Sequence, residues 1–365
     1  MVLKITHFLA IRQETMSFFY DLIMGNQYLR NLNSLYKTET NGVYDPDKSL
    51  YELFQHYNDE IIWATTKDSW GSVDGDGSQR RSTPRGVKGS QGMSSHGITQ
   101  ELVDDFFMED GLSIHESPLY SEDGFTEVTH DVQQLEDTIT VTDKIFNMYM
   151  HREPRFYQAV MFAGRRWHIG GEQVLFHSGS PDDNSSTNSC NTGYLLYKRV
   201  NRSLYSYGSY PRSWFRPGIL FRLAEFYLLY AEALNEVDPT DSRIIEYVDM
   251  VRERAGIPLL KDIKPEIIGD QDLQREAIRH ERRVELCTEG QRYFDVRRWM
   301  ILEKSPAEGG QAGEFHGMDM NAKTYEDFFK RTVFETRTTG RKTYLYAIPQ
   351  NEILKSRKLV QNPGW

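Results

Sequence analysis

The sequence predicts a mainly α-helical protein with long loops and a few short β-strands, and two segments support this prediction. In the first, Arg216-Pro217 opens a helical hairpin in which apolar residues from Leu220 to Leu234 recur at helical spacing. In the second, residues 271–299, apolar side chains keep to one helical face although charged residues surround them. We therefore expect helices to carry the core, with loops around them.

The N-terminal third contains short predicted elements separated by a long loop. Residues 1–37 are compatible with helix because large apolar side chains crowd the segment. A turn at residues 45–47 precedes a short amphipathic helix over residues 50–57 and a short strand at residues 60–64. Residues 67–97 are rich in Gly and Ser, which predicts a loop.

The middle of the chain predicts one helix, two strands and further loops. Residues 98–108 form a predicted helix with Thr99 as its N-cap, and residues 112–143 are polar and irregular. Alternation over residues 156–162 predicts a strand. Residues 192–198 are assigned to a second strand because they resemble a strand of the family named below. Polar residues 177–193 and aromatic residues 205–214 are predicted loops.

The helical hairpin shows part of a tetratricopeptide pattern. Its first helix places Ala231 between Tyr227 and Leu234, its second carries Tyr247, and Gly256 ends the second. Any pair of crossing helices needs a small residue at the crossing, so this pattern alone does not demonstrate a helical repeat. Farther on, residues 325–334 are predicted to be helical, and the terminal Trp365 is expected to fill a slot that holds the tail.

The charged segment 271–299 predicts a helix that begins after Asp270 and is ended or kinked by Gly290. Its predicted apolar stripe consists of Leu273, Ala277, Val284 and Cys287. Arginines and carboxylates alternate there around aromatic residues, which favours paired charges that join neighbouring elements over a solvated helix face. The residues assigned to this structural role are Glu281, Arg282, Arg283, Glu285, Glu289, Gly290, Arg292, Asp295, Arg298 and Trp299.

Composition excludes some classes of function. The formal charge of −10 argues against a general nucleic-acid binder, which needs a basic face. The two cysteines form no disulfide framework, and no stretch has the roughly 18 apolar residues of a membrane helix. Aromatic residues make up 13% of the chain, so some could stack on sugar rings even if most belong to the core.

Two parts of the charged segment, residues 278–286 (IRHERRVEL) and 289–299 (EGQRYFDVRRW), resemble the signature of the SusD/RagB family. Its members are outer-membrane nutrient-binding lipoproteins, and further landmarks of the family occur in order from about Leu50 to Trp365. The resemblance implies a tetratricopeptide-like α-α superhelical scaffold in which our hairpin is the last helix pair. It also implies non-catalytic capture of a nutrient, expected to be an oligosaccharide, for a SusC-like TonB-dependent transporter at the extracellular face of the outer membrane. No cofactor is implied.

The same resemblance suggests a division of the chain. Residues 1–49 are interpreted as a remnant of an N-terminal helical region, and residues 50–365 as a SusD/RagB-type C-terminal region. Family members are longer at the N-terminus, where they have a signal peptide and a lipidated cysteine that are not found here. Met1 is therefore interpreted as an internal or misassigned start. An internal start would leave an apolar face uncovered near residues 1–37 and 220–256.

Catalytic and metal-binding alternatives have weaker support in the sequence. A glycoside hydrolase needs two carboxylates across a cleft, and no motif fixes such a pair. His168 and His177 are spaced poorly for a metal. The loop residues Asp74, Asp76, Asp182 and Asp183 could bind calcium, but the sequence DGDG lacks the remaining EF-hand ligands. We predict neither a catalytic residue nor a metal site.

The ligand is expected to contact aromatic and polar side chains of the loops, although core packing explains each of them equally well. The candidates are Trp70, Trp167, Tyr207, Tyr210, Arg212 and Trp214. Two alternatives stay open: a tetratricopeptide-type scaffold that binds a peptide, and a glycoside hydrolase.

Overall fold

The computed structural model describes residues 34–66, 68, 70–73, 77–133, 137–206, 208–356 and 358–365. The helices of these residues are α1 (Pro46–Glu52), α2 (Ser78–Ser82), α3 (Gln100–Asp105), α4 (Pro154–Ala159), α5 (Leu223–Val237), α6 (Arg243–Ala255), α7 (Leu260–Ile263), α8 (Gln271–Glu285), α9 (Gln291–Arg298) and α10 (Gln350–Lys355). The strands are β1 (Glu39–Thr40), β2 (Val43–Tyr44), β3 (Ile61–Thr65), β4 (Phe125–Gln133), β5 (Thr138–Phe146), β6 (Val160–Phe162), β7 (Tyr194–Leu196), β8 (Gly218–Arg222), β9 (Gly313–Gly317) and β10 (Thr332–Arg337). Residues 1–33 of the segment 1–37, which was predicted to be compatible with helix, and the acidic residues Asp74 and Asp76 lie outside the described residues, and residues 34–37 are not helical.

The strands pair only two by two within the described ranges, so no closed sheet forms there. The pairs are antiparallel: β1 with β2, β3 with β8, β4 with β5, β6 with β7, and β9 with β10. The β4–β5 hairpin runs in register from Phe125↔Phe146 to Gln133↔Thr138. The prediction that residues 112–143 are irregular is confirmed for residues 112–124 and wrong for residues 125–133 and 138–143, where the alternation of Ile139 and Val141 with threonines suits a strand.

The helical hairpin is formed by α5 and α6, with α8 packed against both. Ala231 is fully buried where the helices cross, and the rings of Tyr227 and Tyr247 lie 5.0 Å apart. Leu220 was predicted to be helical but belongs to β8, which pairs with β3. Because β3 supplies partners for the backbone there, the first helix begins only at Leu223.

Two further predictions of secondary structure were wrong. Residues 156–162 form α4 followed by β6 rather than one strand, since Pro154 suits the first turn of a helix. The helix predicted over residues 325–334 is absent, and Thr332–Arg337 pairs with β9 instead. Thr99 and Asp270 cap α3 and α8 as predicted, each accepting backbone N–H groups of the first turn.

The core has two main parts. Strands, α3, α4 and the loops bury an aromatic cluster that includes Phe106, Tyr149, Phe156 and Phe162. The helices α5, α6 and α8 bury a second, mainly aliphatic cluster, which Leu35 joins. None of the described helices has the length and apolar character needed to cross a membrane.

Candidate functional site

The inward face of α8 carries charged side chains as well as apolar ones. Ile278 and Val284 are buried there, but so are Glu281, Arg282 and Glu285. Leu273, predicted as the first residue of an apolar stripe, is 48% exposed, although Val284 and Cys287 of that stripe are buried. The helix therefore packs through ion pairs as well as through apolar contacts.

The two glutamates of α8 receive arginines from distant parts of the chain. Arg155 on α4 donates from Nη1 to Glu281 Oε1 at 2.5 Å and to Glu285 Oε2 at 3.1 Å. Arg222, at the end of β8, donates to Glu285 Oε1 at 2.6 Å, and Arg254 on α6 donates to the same oxygen. We call this set the buried ion-pair network, and it joins α4, α6, α8 and β8.

The network continues beyond α8 through Glu289. Lys198 Nζ and Arg222 Nη2 each lie 2.7 Å from Glu289 Oε1. Gly290 has φ 99° and precedes α9, so α8 has already ended at Glu285 and a new helix begins after the glycine. The left-handed backbone at this position favours glycine.

The signature residues of α9 pair in the same way. Asp295 is buried, and its Oδ1 lies 3.0 Å from Arg282 Nη2 and 2.8 Å from Arg298 Nη2. Arg298 and the indole N–H of Trp299 both donate to Glu232 on α5. Arg292 donates to the carbonyl of Gly309, and Arg283 Nε lies 2.5 Å from Asp105 Oδ2. The burial and hydrogen bonds expected of Glu281, Glu285, Arg292 and Asp295 are thus present.

The charges around these carboxylates control their ionisation. Burial opposes ionisation of Glu285, but Arg254, Arg222 and Arg155 outweigh it and hold its pKa well below the ordinary range. In the same way Arg222 and Lys198 overcome burial and lower the pKa of Glu289 to about 2. Both groups are permanent anions at neutral pH, which suits a structural role and not proton transfer.

The candidate ligand residues near 70 and 214 lie on two paired segments. The β3–β8 pair continues through hydrogen bonds from Trp214 N to Gly71 O at 2.7 Å and from Val73 N to Arg212 O at 2.9 Å. We call residues 61–66, 68, 70–73 and 212–222 the aromatic ribbon. The Trp214 indole is 45% exposed, and its N–H donates to Gln55 O at 2.8 Å, which fixes its orientation.

The other candidates differ in exposure. Tyr210 is half-buried with its ring 5.7 Å from Tyr205, and Arg212 is exposed and donates to Ser206 O at 3.2 Å. Trp70 is only 7% exposed, beside His96. Tyr207 lies outside the described residues.

Trp167 does not lie with the ribbon candidates. It is 2% exposed, and its ring neighbours are His168 and Tyr197. The structure thus brings Trp70, Arg212 and Trp214 together, buries the first of them, and places Trp167 in the core. The ligand roles of all the candidates stay predictions.

Sequence reasoning missed the most exposed aromatic pair of the ribbon. Trp63 on β3 is 62% exposed and stacks on Phe221 of β8, with ring centroids 6.0 Å apart. Trp63 had been placed in the predicted strand, but its partner was assigned to a helix, so the pair could not be recognised. Phe215, between Trp214 and β8, is 69% exposed.

Two of the residues considered for metal binding, His168 and Asp182, have other partners. His168 Nδ1 lies 2.8 Å from the Tyr197 hydroxyl, and burial lowers the pKa of this imidazole well below its ordinary value. Asp182 Oδ1 accepts from Arg85 N at 2.7 Å and from Ser94 Oγ. In the described part of the chain, no three His, Cys, Asp or Glu residues are grouped to hold a metal ion.

Comparisons with known proteins identify relatives over most of the chain. The SusD family model matches residues 59–365. The SusD-like protein P38 of Formosa agariphila is 43% identical over 82 residues, which are 21% of this chain and 16% of that protein. A SusD-like protein from Bacteroides fragilis is 26% identical with a TM-score of 0.66, covering 87% of this chain and 57% of the other. A SusD-like carbohydrate binding protein from the same organism shares the fold, with 21% identity, a TM-score of 0.58, and coverage of 89% and 58%.

The chain is thus similar to little more than half the length of these solved structures and to a small part of the curated relative. The family match nevertheless includes the buried ion-pair network, the aromatic ribbon and the C-terminal segment. With the family model matched over this range, the chain belongs to the SusD family.

Proposed function

We propose that this protein binds a nutrient glycan without catalysis, at the extracellular face of the outer membrane, for delivery to a SusC-like TonB-dependent transporter. Membership of the SusD family supports this proposal, and one solved structure with the same fold is named a carbohydrate binding protein. The observation that carries the proposal furthest in this chain is the row of exposed aromatic side chains on the aromatic ribbon.

The ribbon has the chemistry of a sugar-binding surface. A pyranose ring presents an apolar face of C–H groups and a rim of hydroxyls, so an exposed Trp or Tyr ring stacks on the face while polar groups hold the rim. Trp63 and Trp214 offer exposed indoles, and Arg212 offers an exposed cation beside one of them. Because backbone pairing holds both strands, these side chains need little ordering when a ligand binds.

The acids next to the ribbon favour binding over hydrolysis. Asp68 Oδ2 lies 2.9 Å from Arg216 Nε, and Glu60 is buried and paired with Arg222 and Arg254. A hydrolase needs one carboxylic acid that can donate a proton and a second carboxylate that acts across a cleft. Carboxylates engaged by arginines stabilise structure and do not supply such a pair.

Calorimetry against a panel of plant, host and microbial oligosaccharides tests the proposal. A shallow aromatic site gives modest affinity, on the order of 10 μM to 1 mM, or roughly 4 to 7 kcal/mol. Trp214→Ala and Trp63→Ala should each weaken binding at least about tenfold. Phe294→Ala is the matched control, since Phe294 is 64% exposed but lies on α9, away from the ribbon.

The same incubation separates the alternatives. Shortened glycans formed at enzymatic rates would show that the protein is a hydrolase rather than a binding protein. If no oligosaccharide of the panel binds detectably, the peptide-binding scaffold would be the better explanation. Delivery needs a separate measurement: the protein should co-purify with a TonB-dependent transporter encoded beside its gene, and failure to associate would remove that part of the proposal.

A further inference from the structure

A small cavity lies between α1, α4, the segment 197–202 and the end of α8. It has a volume of about 30 Å³. A cavity of about 10–15 Å³ by this measure holds one water molecule, so this one has room for a few small atoms and a sugar ring does not fit. Tyr51, Gln158, Arg199 and Arg202 are half-buried lining residues, so the cavity reaches solvent on their side.

The lining is strongly cationic. Five cationic side chains line it, with Glu285 as the only carboxylate among the lining residues: Arg155, Lys198, Arg199, Arg202 and Arg222. Three of these belong to the buried ion-pair network and are compensated by its glutamates. In the part of the chain that the structure describes, Arg199 and Arg202 have no ion-pair partner, so about two positive charges face the cavity uncompensated.

The two arginines are held in place by aromatic rings. The Arg199 guanidinium carbon lies 5.1 Å from the centroid of Phe54, and that of Arg202 lies 4.5 Å from Tyr51. Arg202 also donates from Nη2 to Gln158 Oε1. Arg199 has a φ of 72°, a left-handed backbone that is unfavourable for a residue with a side chain. The arginines are thus oriented in advance rather than free in solvent.

Some hydrogen-bond donors of the arginines that line the cavity have no acceptor on any described residue. The Nε atoms of Arg199 and Arg202 are buried and have no acceptor among the described residues. Arg155 is 4% exposed, and its Nη2 is likewise buried without an acceptor. Buried donors that lack a partner are costly, on the order of 1–3 kcal/mol each, so an acceptor supplied from outside would be favourable.

We propose that this cavity binds a small oxyanion, a sulfate, phosphate or carboxylate group, through Arg199, Arg202 and Arg155 Nη2. Guanidinium groups present planar N–H donors that suit such oxygens. Burial lowers the pKa of the nearby Arg165, and the charge of Arg202 adds to that decrease. The group can be a free ion or an anionic substituent of a larger ligand, and none of the proposed anion-binding residues belongs to the aromatic ribbon.

Thermal unfolding tests the site with sulfate, phosphate and acetate as probes, at an ionic strength held constant with sodium chloride. The wild-type protein should melt about 2–5 °C higher in at least one probe than in chloride alone. Arg199→Gln and Arg202→Gln should lose that shift. Each variant is compared with itself without the probe, because the substitutions also remove the contact of Arg199 with Phe54 and those of Arg202 with Tyr51 and Gln158. Arg341→Gln is the matched control, since Arg341 is an exposed arginine outside the cavity, and it should keep the shift.

A second comparison distinguishes the source of the anion. A sulfated oligosaccharide that protects better than inorganic sulfate, while its unsulfated parent gives no Arg202-dependent protection, would identify a substituent on a glycan. Equal protection by inorganic sulfate would identify a free ion. The proposal is overturned if chloride reproduces the shift, if no probe raises the melting temperature, or if both glutamine variants keep the full effect.

Discussion

Arg222 Nη1 lies 2.6 Å from Glu285 Oε1, and each side chain is only 2% exposed. Burying two charges is costly unless the remaining donors and acceptors are satisfied. The other guanidinium donors of Arg222 reach Glu60, Glu289 and the carbonyl of Glu285, so the arginine is fully used. Because Arg222 ends β8 and Glu285 ends α8, this pair fixes the aromatic ribbon relative to the helical scaffold.

Removing one member of the buried ion-pair network should be strongly destabilising. Glu281→Ala leaves buried Arg252 without a carboxylate, and Asp295→Ala does the same to buried Arg282, so each should lower the free energy of unfolding by about 3–5 kcal/mol. Glu276→Ala is the control on the same helix, since that side chain is 73% exposed and its pair with Arg279 is worth about 0.5 kcal/mol or less. Chemical denaturation measures all three, and losses near zero for both buried sites would show that the network is not structural.

The network should also make stability fall in acid. The ordinary pKa of a glutamate is 4.5, and in the folded protein that of Glu289 is about 2. A carboxyl group whose pKa is lower in the folded than in the unfolded protein stabilises the fold at a pH above its unfolded pKa. This contribution disappears as the pH falls from about 4.5 to 2. For Glu289 the loss is about 3 kcal/mol.

The comparison of wild type with Glu289→Gln isolates this contribution. Burial raises the pKa of Glu153, which acts in the opposite direction, so the wild-type curve alone does not separate the groups. Denaturation between pH 7 and pH 2 should give a smaller pH dependence in Glu289→Gln. Identical slopes in the two proteins would contradict the lowered pKa.

The three tryptophans proposed from the sequence should respond differently to truncation. Trp70 and Trp167 are buried in the aromatic core cluster, so replacing either by Ala should cost about 3–5 kcal/mol of stability. Trp214→Ala should leave the melting temperature near that of the wild type, because nearly half of the indole is already exposed. Calorimetric melting checks this; an unchanged melting temperature in Trp167→Ala would mean that the indole is not part of the core.

Much of the fold could be predicted from local patterns. The caps at Thr99 and Asp270 and the hairpin helices depend on residues close together in sequence. The strand at β8 could not be recognised, because Leu220 fits both a helical spacing and a pairing with β3 more than 150 residues earlier. Local spacing does not reveal such a distant partner.

The candidate surface was predictable only in part, for the same reason. Sequence composition indicated that the arginines and glutamates of α8 would pair, but their partners Arg155, Arg222 and Arg254 come from three other elements. Likewise, nothing near Trp63 shows that Phe221 lies beside it. The exposure of an aromatic ring depends on tertiary packing. Trp70 and Trp214 were therefore both predicted as loop residues, although the structure buries Trp70 and exposes Trp214.

The end of α6 offers a test of how closely the helices must approach. Gly256 has φ 75°, and a Cβ there would lie 2.5 Å from Pro46 Cγ on α1. Gly256→Ala should therefore cost about 1 kcal/mol for the left-handed backbone and a further ~1–3 kcal/mol for the overlap with Pro46. Gly269→Ala is the matched control, because Gly269 has φ 88° and nothing within 4 Å of an added Cβ, so only the backbone cost applies. Urea denaturation of both variants measures the difference, and equal losses would show that α1 moves away from α6 at no cost.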